Sequence, residues 1–107
     1  MQNSHEPDMR LLVTAEATHR VEALHPDLFE QMRLDRAFLV SMWDEEEADI
    51  VALIARCELG GARLERSMPW MHPAVGLVTT LLFTTNRASA DRVMARLAGK
   101  LSAFRGF

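Results

Sequence analysis

The chain has 107 residues and a formal net charge of −3, and apolar residues make up 49% of it and charged residues 25%. This size and composition are typical of one globular domain (residues 1–107), and they argue against a disordered chain; the polar residues 1–8 are predicted to form a frayed tail. The single cysteine excludes an internal disulfide and a multi-cysteine zinc site. No apolar run approaches the roughly 18 residues of a membrane helix, and residues 1–20 lack the pattern of a signal peptide, so we expect a cytoplasmic protein without a membrane partner.

Charge is divided unevenly along the chain. Up to Ala55 there are 4 basic and 12 acidic residues, and from Arg56 onward there are 8 basic and 3 acidic residues. The simpler interpretation is a monomer with two oppositely charged faces. The alternatives are attraction between the halves of two protomers, or an anion bound by the C-terminal half.

Two N-terminal segments favour helix. In residues 9–24, Val13, Ala17 and Val21 lie at helical spacing, although residues 11–14 could instead form a short strand ahead of a helix. Residues 25–33 predict a short helix, because Pro26 suits its first position.

A strand and a helix are predicted next. Residues 36–43 form a continuous apolar run, which is typical of a strand buried on both faces. Asp44 and Glu47 have the spacing of a capping box. They precede a helix whose apolar stripe is Ile50, Leu53, Ile54 and Cys57 and which ends at Gly60 and Gly61.

Two strands follow. Residues 62–70 alternate, which places Leu64, Met68 and Trp70 on one side of a half-exposed strand, and Pro69 favours an edge position. Residues 74–85 are rich in Val, Leu, Phe and Thr, which predicts a central strand.

A last helix is predicted within residues 86–104, with the possibility that Gly99 ends it. Its basic stripe could bind an anion or an acidic partner, but without an aromatic platform we expect no nucleic-acid binding. The basic stripe consists of Arg92, Arg96 and Lys100. The same predicted helix has an apolar seam, which consists of Ala90, Met94, Leu97, Leu101 and Phe104.

The order strand, helix, strand, strand, helix over residues 36–104 predicts an α+β fold with a ferredoxin-like βαββα core and an N-terminal helical or strand–helix extension. A fourth strand could come from residues 9–14, from the short C-terminal tail or from another protomer. This order resembles small regulatory domains of the ACT type. That resemblance implies an amino acid effector bound at a glycine-containing turn after the first strand, and here the turn is WDEEE, without glycine.

Motifs for metal binding and catalysis are weak. The two E-x-x-H units, Glu16 with His19 and Glu22 with His25, lie in one segment and cannot share one metal. The acidic run 44–49 lacks the glycine of a calcium loop. Cys57 lies on an apolar stripe, where a cysteine behaves as a small hydrophobe. We therefore predict no cofactor, no metal and no catalytic residue.

The stretch SMPWMHPAVG, residues 67–76, supplies the candidate site. The favoured interpretation of this stretch is a connection between an edge strand and a central strand. The alternatives are a small-ligand site or an interface, for which the candidates are Met68, Trp70, Met71 and His72, and a Cu(I) site. The function expected is a non-catalytic regulatory module, homodimeric through a sheet edge or face, which senses a small molecule or contacts a larger protein. The alternative is a small isomerase or oxygenase with a cleft near Trp70 and His72.

Overall fold

The computed structural model describes residues 8–86 and the backbone of residues 103–104. Within these residues the fold is α+β, with three helices and an antiparallel sheet in the strand order β2-β3-β1-β4. The elements in chain order are α1 (Met9–Leu24), α2 (Pro26–Arg33), β1 (Ala37–Trp43), α3 (Glu47–Leu59), β2 (Arg63–His72), β3 (Gly76–Thr84) and β4 (Ala103–Phe104).

The N-terminal extension is helical throughout. Asp8 caps α1 by accepting a hydrogen bond from the Arg10 backbone N–H at 3.0 Å, and Val13, Ala17 and Val21 are buried on its inner face. The strand alternative for residues 11–14 is therefore wrong, because the apolar residues recur at helical spacing and are buried as one stripe.

The C-terminal tail supplies the fourth strand. Ala103 and Phe104 pair with Val40 and Leu39 on the free side of β1. Extending the last predicted helix to Phe104 is thus wrong, because β1 offers unpaired backbone groups there that the tail satisfies. The rest of that predicted helix, with Arg92, Arg96 and Lys100, lies outside the described residues.

Both faces of the sheet are packed on helices, which explains why β1 is almost continuously apolar. Alternate residues of β1 enter the α3 core on one face and the α1–α2 core on the other. The α3 core contains Phe38, Val40, Met42, Leu53, Cys57, Ala62, Leu81 and Phe83. The α1–α2 core contains Val13, Ala17, Val21, Met32, Ala37, Leu39, Met68, Trp70, Val78 and Leu82.

Helix α3 buries the predicted stripe but begins later than its acidic residues suggest. Asp44 has a left-handed φ of 59° and turns the chain away from β1. The N-cap is Glu46, whose backbone N–H donates to the Asp49 carboxylate at 3.3 Å. The predicted Asp44–Glu47 capping box is therefore wrong. The capping box lies two residues later, at Glu46 and Asp49, because the chain must turn away from β1 before the helix begins. At the other end Gly61 has the left-handed φ, 98°.

A β-bulge in β2 overturns the predicted alternation of that strand. Leu64 pairs with Phe83 and Arg66 with Leu82, so Glu65 is an extra residue in β2. Leu64 consequently packs against the α3 core, while Met68 and Trp70 lie in the α1–α2 core. Placing Leu64 on the same side as Met68 and Trp70 is wrong because one inserted residue reverses the order of faces. The edge position of β2, predicted from Pro69, and the central position of β3 are confirmed.

The described helices include none that is both long and apolar enough to cross a membrane.

Candidate functional site

The four candidate residues Met68, Trp70, Met71 and His72 lie at the end of β2, where residues 73–75 turn the chain into β3. In this hairpin Trp70 pairs with Val78 and Met71 with Leu77. Alternation along β2 therefore sends neighbouring candidates to opposite faces of the sheet.

Met68 and Trp70 belong to the interior. Trp70 is only 7% exposed, and its indole Nε1–H donates to the Thr80 hydroxyl at 2.8 Å. Thr80 shares a second hydrogen bond of 2.8 Å with the hydroxyl of Ser41. Ser41 and Thr80 are fully buried. Each of the three polar side chains therefore has its hydrogen-bond partner within the α1–α2 core.

The face of the Trp70 ring is covered as well. The guanidinium carbon of Arg20, on α1, lies 4.7 Å from the ring centroid. Its Nε is 3.3 Å from the Glu16 carboxylate one turn earlier on the same helix. The cation is thus held between the indole and a carboxylate, an arrangement that fastens α1 to β2.

His72 stabilises the turn. Its Nδ1 accepts a hydrogen bond from the Ala74 backbone N–H at 3.0 Å, and its ring meets that of Trp70 edge-on with centroids 5.8 Å apart. Gly76 follows the turn with a left-handed φ of 85°, which favours glycine. Together these features fix the direction in which the hairpin leaves the sheet.

A copper site built from the methionines does not fit this geometry. Met68 is buried in the α1–α2 core, whereas Met71 lies on the opposite face and is 64% exposed. Among residues 8–86, moreover, no three His, Cys, Asp or Glu side chains come together as a metal-binding group.

Met71 instead forms an exposed apolar pair with its direct cross-strand neighbour. Leu77 is 59% exposed, and the two side chains share the α3 face of the sheet. We call these two residues the hairpin tip. The sequence pattern does not single out Leu77, because its importance follows only from the register that the turn imposes.

Cys57 is not available as a nucleophile. It is buried in the α3 core, where loss of solvent, together with the nearby charge of Glu58, raises the pKa of its thiol to about 11. A thiol with such a pKa is almost wholly protonated near neutrality, and the thiolate is the reactive form.

Comparisons of this chain with protein-family models, with curated proteins and with solved structures find no match.

Proposed function

We propose that the chain is a small non-catalytic binding module that contacts a larger protein through the hairpin tip, Met71 and Leu77. The observation that carries this proposal is the exposure of two adjacent apolar side chains on a hairpin whose inner face is anchored by Trp70. Isolated exposed apolar residues are ordinary on protein surfaces. A contiguous apolar pair on a rigid support can bind a partner at a small cost in conformational entropy, because the backbone that carries it is already ordered.

A protein is favoured over a small molecule as the occupant. The polar N–H of Trp70 is bonded to Thr80, and Arg20 covers its ring. A ligand at Trp70 would have to break these internal contacts first, and an enzyme cleft there would face the same cost. The hairpin tip requires no such rearrangement.

The charge near the hairpin tip argues against nucleic acid. The chain leaves β1 opposite the start of β3, so the exposed carboxylates of Asp44, Glu45, Glu46 and Glu47 lie at the same end of the sheet as Leu77. Within residues 8–86 these four carboxylates have no ion-pair partner. They would repel a phosphate backbone and would favour a partner with basic residues around an apolar centre.

We also propose that the core of the domain is ferredoxin-like and related in design to regulatory ACT-type domains. The strand order β2-β3-β1-β4, with α3 connecting β1 to β2, supports this arrangement. The left-handed residue after β1 is Asp44, where a glycine would be expected for an amino acid effector. Its carboxylate would repel that of the effector, which again favours a protein partner.

Site-specific photocrosslinking tests the proposal. A benzoylphenylalanine placed at Met71 or Leu77 in the full chain, expressed in its native host, should give one discrete adduct with another protein. Ala15, which is exposed on α1, provides the control position. Excess wild-type chain should compete for the adduct, whereas excess Met71→Asp/Leu77→Asp chain should not. Adducts equally abundant at Ala15, or competition by the double variant, would refute the role of the hairpin tip.

A further inference from the structure

The methionines within residues 8–86 differ widely in their exposure to solvent. Met71, at the hairpin tip, is 64% exposed. Met9 is half-buried against the α1–α2 core. The others lie in the two cores and are at most 7% exposed: Met32, Met42 and Met68. A small oxidant dissolved in water therefore reaches the Met71 sulfur far more readily than the buried ones.

Met71 remains accessible without any opening of the fold. It lies on the edge strand β2, so within the described sheet only β3 flanks it, and its cross-strand neighbour Leu77 is itself 59% exposed. Met68, three residues earlier on the same strand, faces the α1–α2 core. Its sulfur can be reached only when that core opens locally. One strand thus carries an accessible thioether and a protected one.

The thiol of Cys57 does not compete for an oxidant. A thiol reacts as the thiolate, whereas a thioether reacts in its ordinary neutral state. Burial raises the pKa of the Cys57 thiol to about 11, so this group is neither accessible nor ionised near neutrality. The carboxylates that follow β1 do not repel hydrogen peroxide from Met71, because this peroxide is uncharged near neutrality.

We propose that Met71 is a methionine-oxidation site, at which hydrogen peroxide converts the thioether to the sulfoxide and thereby weakens binding by the hairpin tip. The sulfur lone pair attacks one peroxide oxygen, an S–O bond forms, the O–O bond breaks, and the second oxygen leaves as water. Sulfur loses two electrons and the peroxide gains two. The oxidation site follows from exposure, whereas the effect on binding rests on the function proposed above for the hairpin tip.

The sulfoxide changes the chemistry of the hairpin tip. Its oxygen accepts hydrogen bonds, and contact with the apolar centre of a partner would bury this acceptor without a donor. The carboxylates at the same end of the sheet are ionised near neutrality and cannot donate to it. Leu77 alone would remain apolar, so the contiguous apolar pair would be lost. Methionine sulfoxide reductases reverse the reaction, which makes the change a switch and not only damage.

Peptide mapping by mass spectrometry, after treatment of the full chain with hydrogen peroxide, tests the oxidation site. Met71 should form the sulfoxide at least about tenfold faster than Met68, in line with their exposed fractions of 64% and 7%. In guanidinium chloride at a denaturing concentration the two rates should become equal, because the fold no longer protects Met68. Equal rates in the folded chain would overturn the proposal.

Two readouts measure the effect on the hairpin tip. Retention of the chain on a phenyl matrix needs no partner and should shorten after oxidation. The yield of the adduct formed by benzoylphenylalanine at Leu77 should fall about tenfold, the change expected when one apolar side chain no longer contributes to binding. Reductases specific for the two sulfoxide epimers should restore both readouts.

Met71→Leu and Met9→Leu are matched variants, each compared before and after peroxide, with circular dichroism to show that both are folded. Peroxide should change neither readout in Met71→Leu, whereas Met9→Leu should respond as the wild type does. A response of Met71→Leu as large as that of the wild type would overturn the proposal. So would unchanged readouts once Met71 is oxidised. Shortened retention without any adduct in the untreated chain would contradict the proposed partner and would still support Met71 as the oxidation site.

Discussion

The buried hydroxyl of Thr80 offers the sharpest test of how the hairpin is held. It accepts the indole N–H of Trp70 and shares a hydrogen bond with Ser41, both at 2.8 Å. Thr80→Val replaces this hydroxyl by a methyl group of similar size and keeps the β-branched shape that strands favour. The substitution therefore removes the hydrogen bonds of Thr80 while leaving the packing almost unchanged.

The expected cost follows from the groups left without partners. Each buried polar group that loses its hydrogen bond costs about 1–3 kcal/mol, and here both the Trp70 N–H and the Ser41 hydroxyl are affected. The added methyl group returns roughly 0.8 kcal/mol through burial. We expect Thr80→Val to lower the free energy of unfolding by about 1–5 kcal/mol, a large part of the 5–15 kcal/mol typical of a domain.

Urea unfolding followed by circular dichroism and by tryptophan fluorescence measures this change. Thr80→Ser is the control, because it keeps the hydroxyl and loses only a methyl group. In a Trp70→Phe background the cost of Thr80→Val should shrink, since one of the two donors is already absent. If Thr80→Val were as stable as Thr80→Ser, the hydrogen bonds of Thr80 would not contribute to holding the hairpin.

Three further predictions concern single residues. The thiol pKa of Cys57 rises from 9.0 to about 11 on folding, so the unfolded chain ionises first, and stability should fall by roughly 2–3 kcal/mol between pH 9 and 11 in denaturation curves. Gly76→Ala should cost about 1–2 kcal/mol because φ is 85°, although an added Cβ meets no atom within 4 Å. Arg20→Met should keep the apolar stem but lose about 0.5–1 kcal/mol of attraction to Trp70, measurable in a double-mutant cycle with Trp70→Phe.

Matched controls decide each of these predictions. Cys57→Ala should flatten the alkaline stability curve, which the absence of tyrosine from the chain keeps free of phenol ionisation; an unchanged slope would contradict the assignment to this thiol. Gly60→Ala, at a right-handed φ of −79°, should cost little, and an equal cost at both glycines would exclude backbone strain at Gly76. A coupling energy of zero between Arg20 and Trp70 would show that the cation–π contact does not contribute to the stability of the fold.

Much of the fold could be predicted from local patterns. The apolar run of β1, the stripe of α3 and the Pro69 edge each depend on residues close in sequence, and each is confirmed. Features that depend on which strands pair in the folded sheet could not be predicted from local sequence patterns. Ala103 and Phe104 join the sheet because β1 has a free side, and this is a property of the assembled sheet rather than of the tail.

At the candidate site, too, local sequence predicted the turn but not the contacts made in the folded sheet. The turn residues of SMPWMHPAVG predicted a connection between strands, but not which side chains would remain exposed. Trp70 and Met71 are adjacent, but the strand alternates, so Trp70 is buried in the α1–α2 core and Met71 is 64% exposed on the opposite face. Thr80, the hydrogen-bond partner of Trp70, lies ten residues away on another strand, and nothing near Trp70 in the sequence identifies it.

The bulge at Glu65 gives a last prediction, about how the two cores are kept apart. Deleting Glu65 should leave a regular ladder in which Leu64 still pairs with Phe83 and Arg66 with Leu82. Each core would then retain its residues, and the loss would be mainly the hydrogen bond of 2.9 Å from the Thr84 hydroxyl to the Glu65 carboxylate. We expect a folded protein less stable by about 1–2 kcal/mol, as measured by urea unfolding.

Deleting Thr79 instead provides the matched control. The central strand β3 has no extra residue there. The deletion would therefore reverse the face that each side chain occupies on one side of the deletion, and side chains from both cores would be exposed. This variant should fail to fold cooperatively. If the chain without Glu65 lost its cooperative transition as well, the bulge would be required for packing, and it would do more than accommodate one extra residue between Leu64 and Arg66.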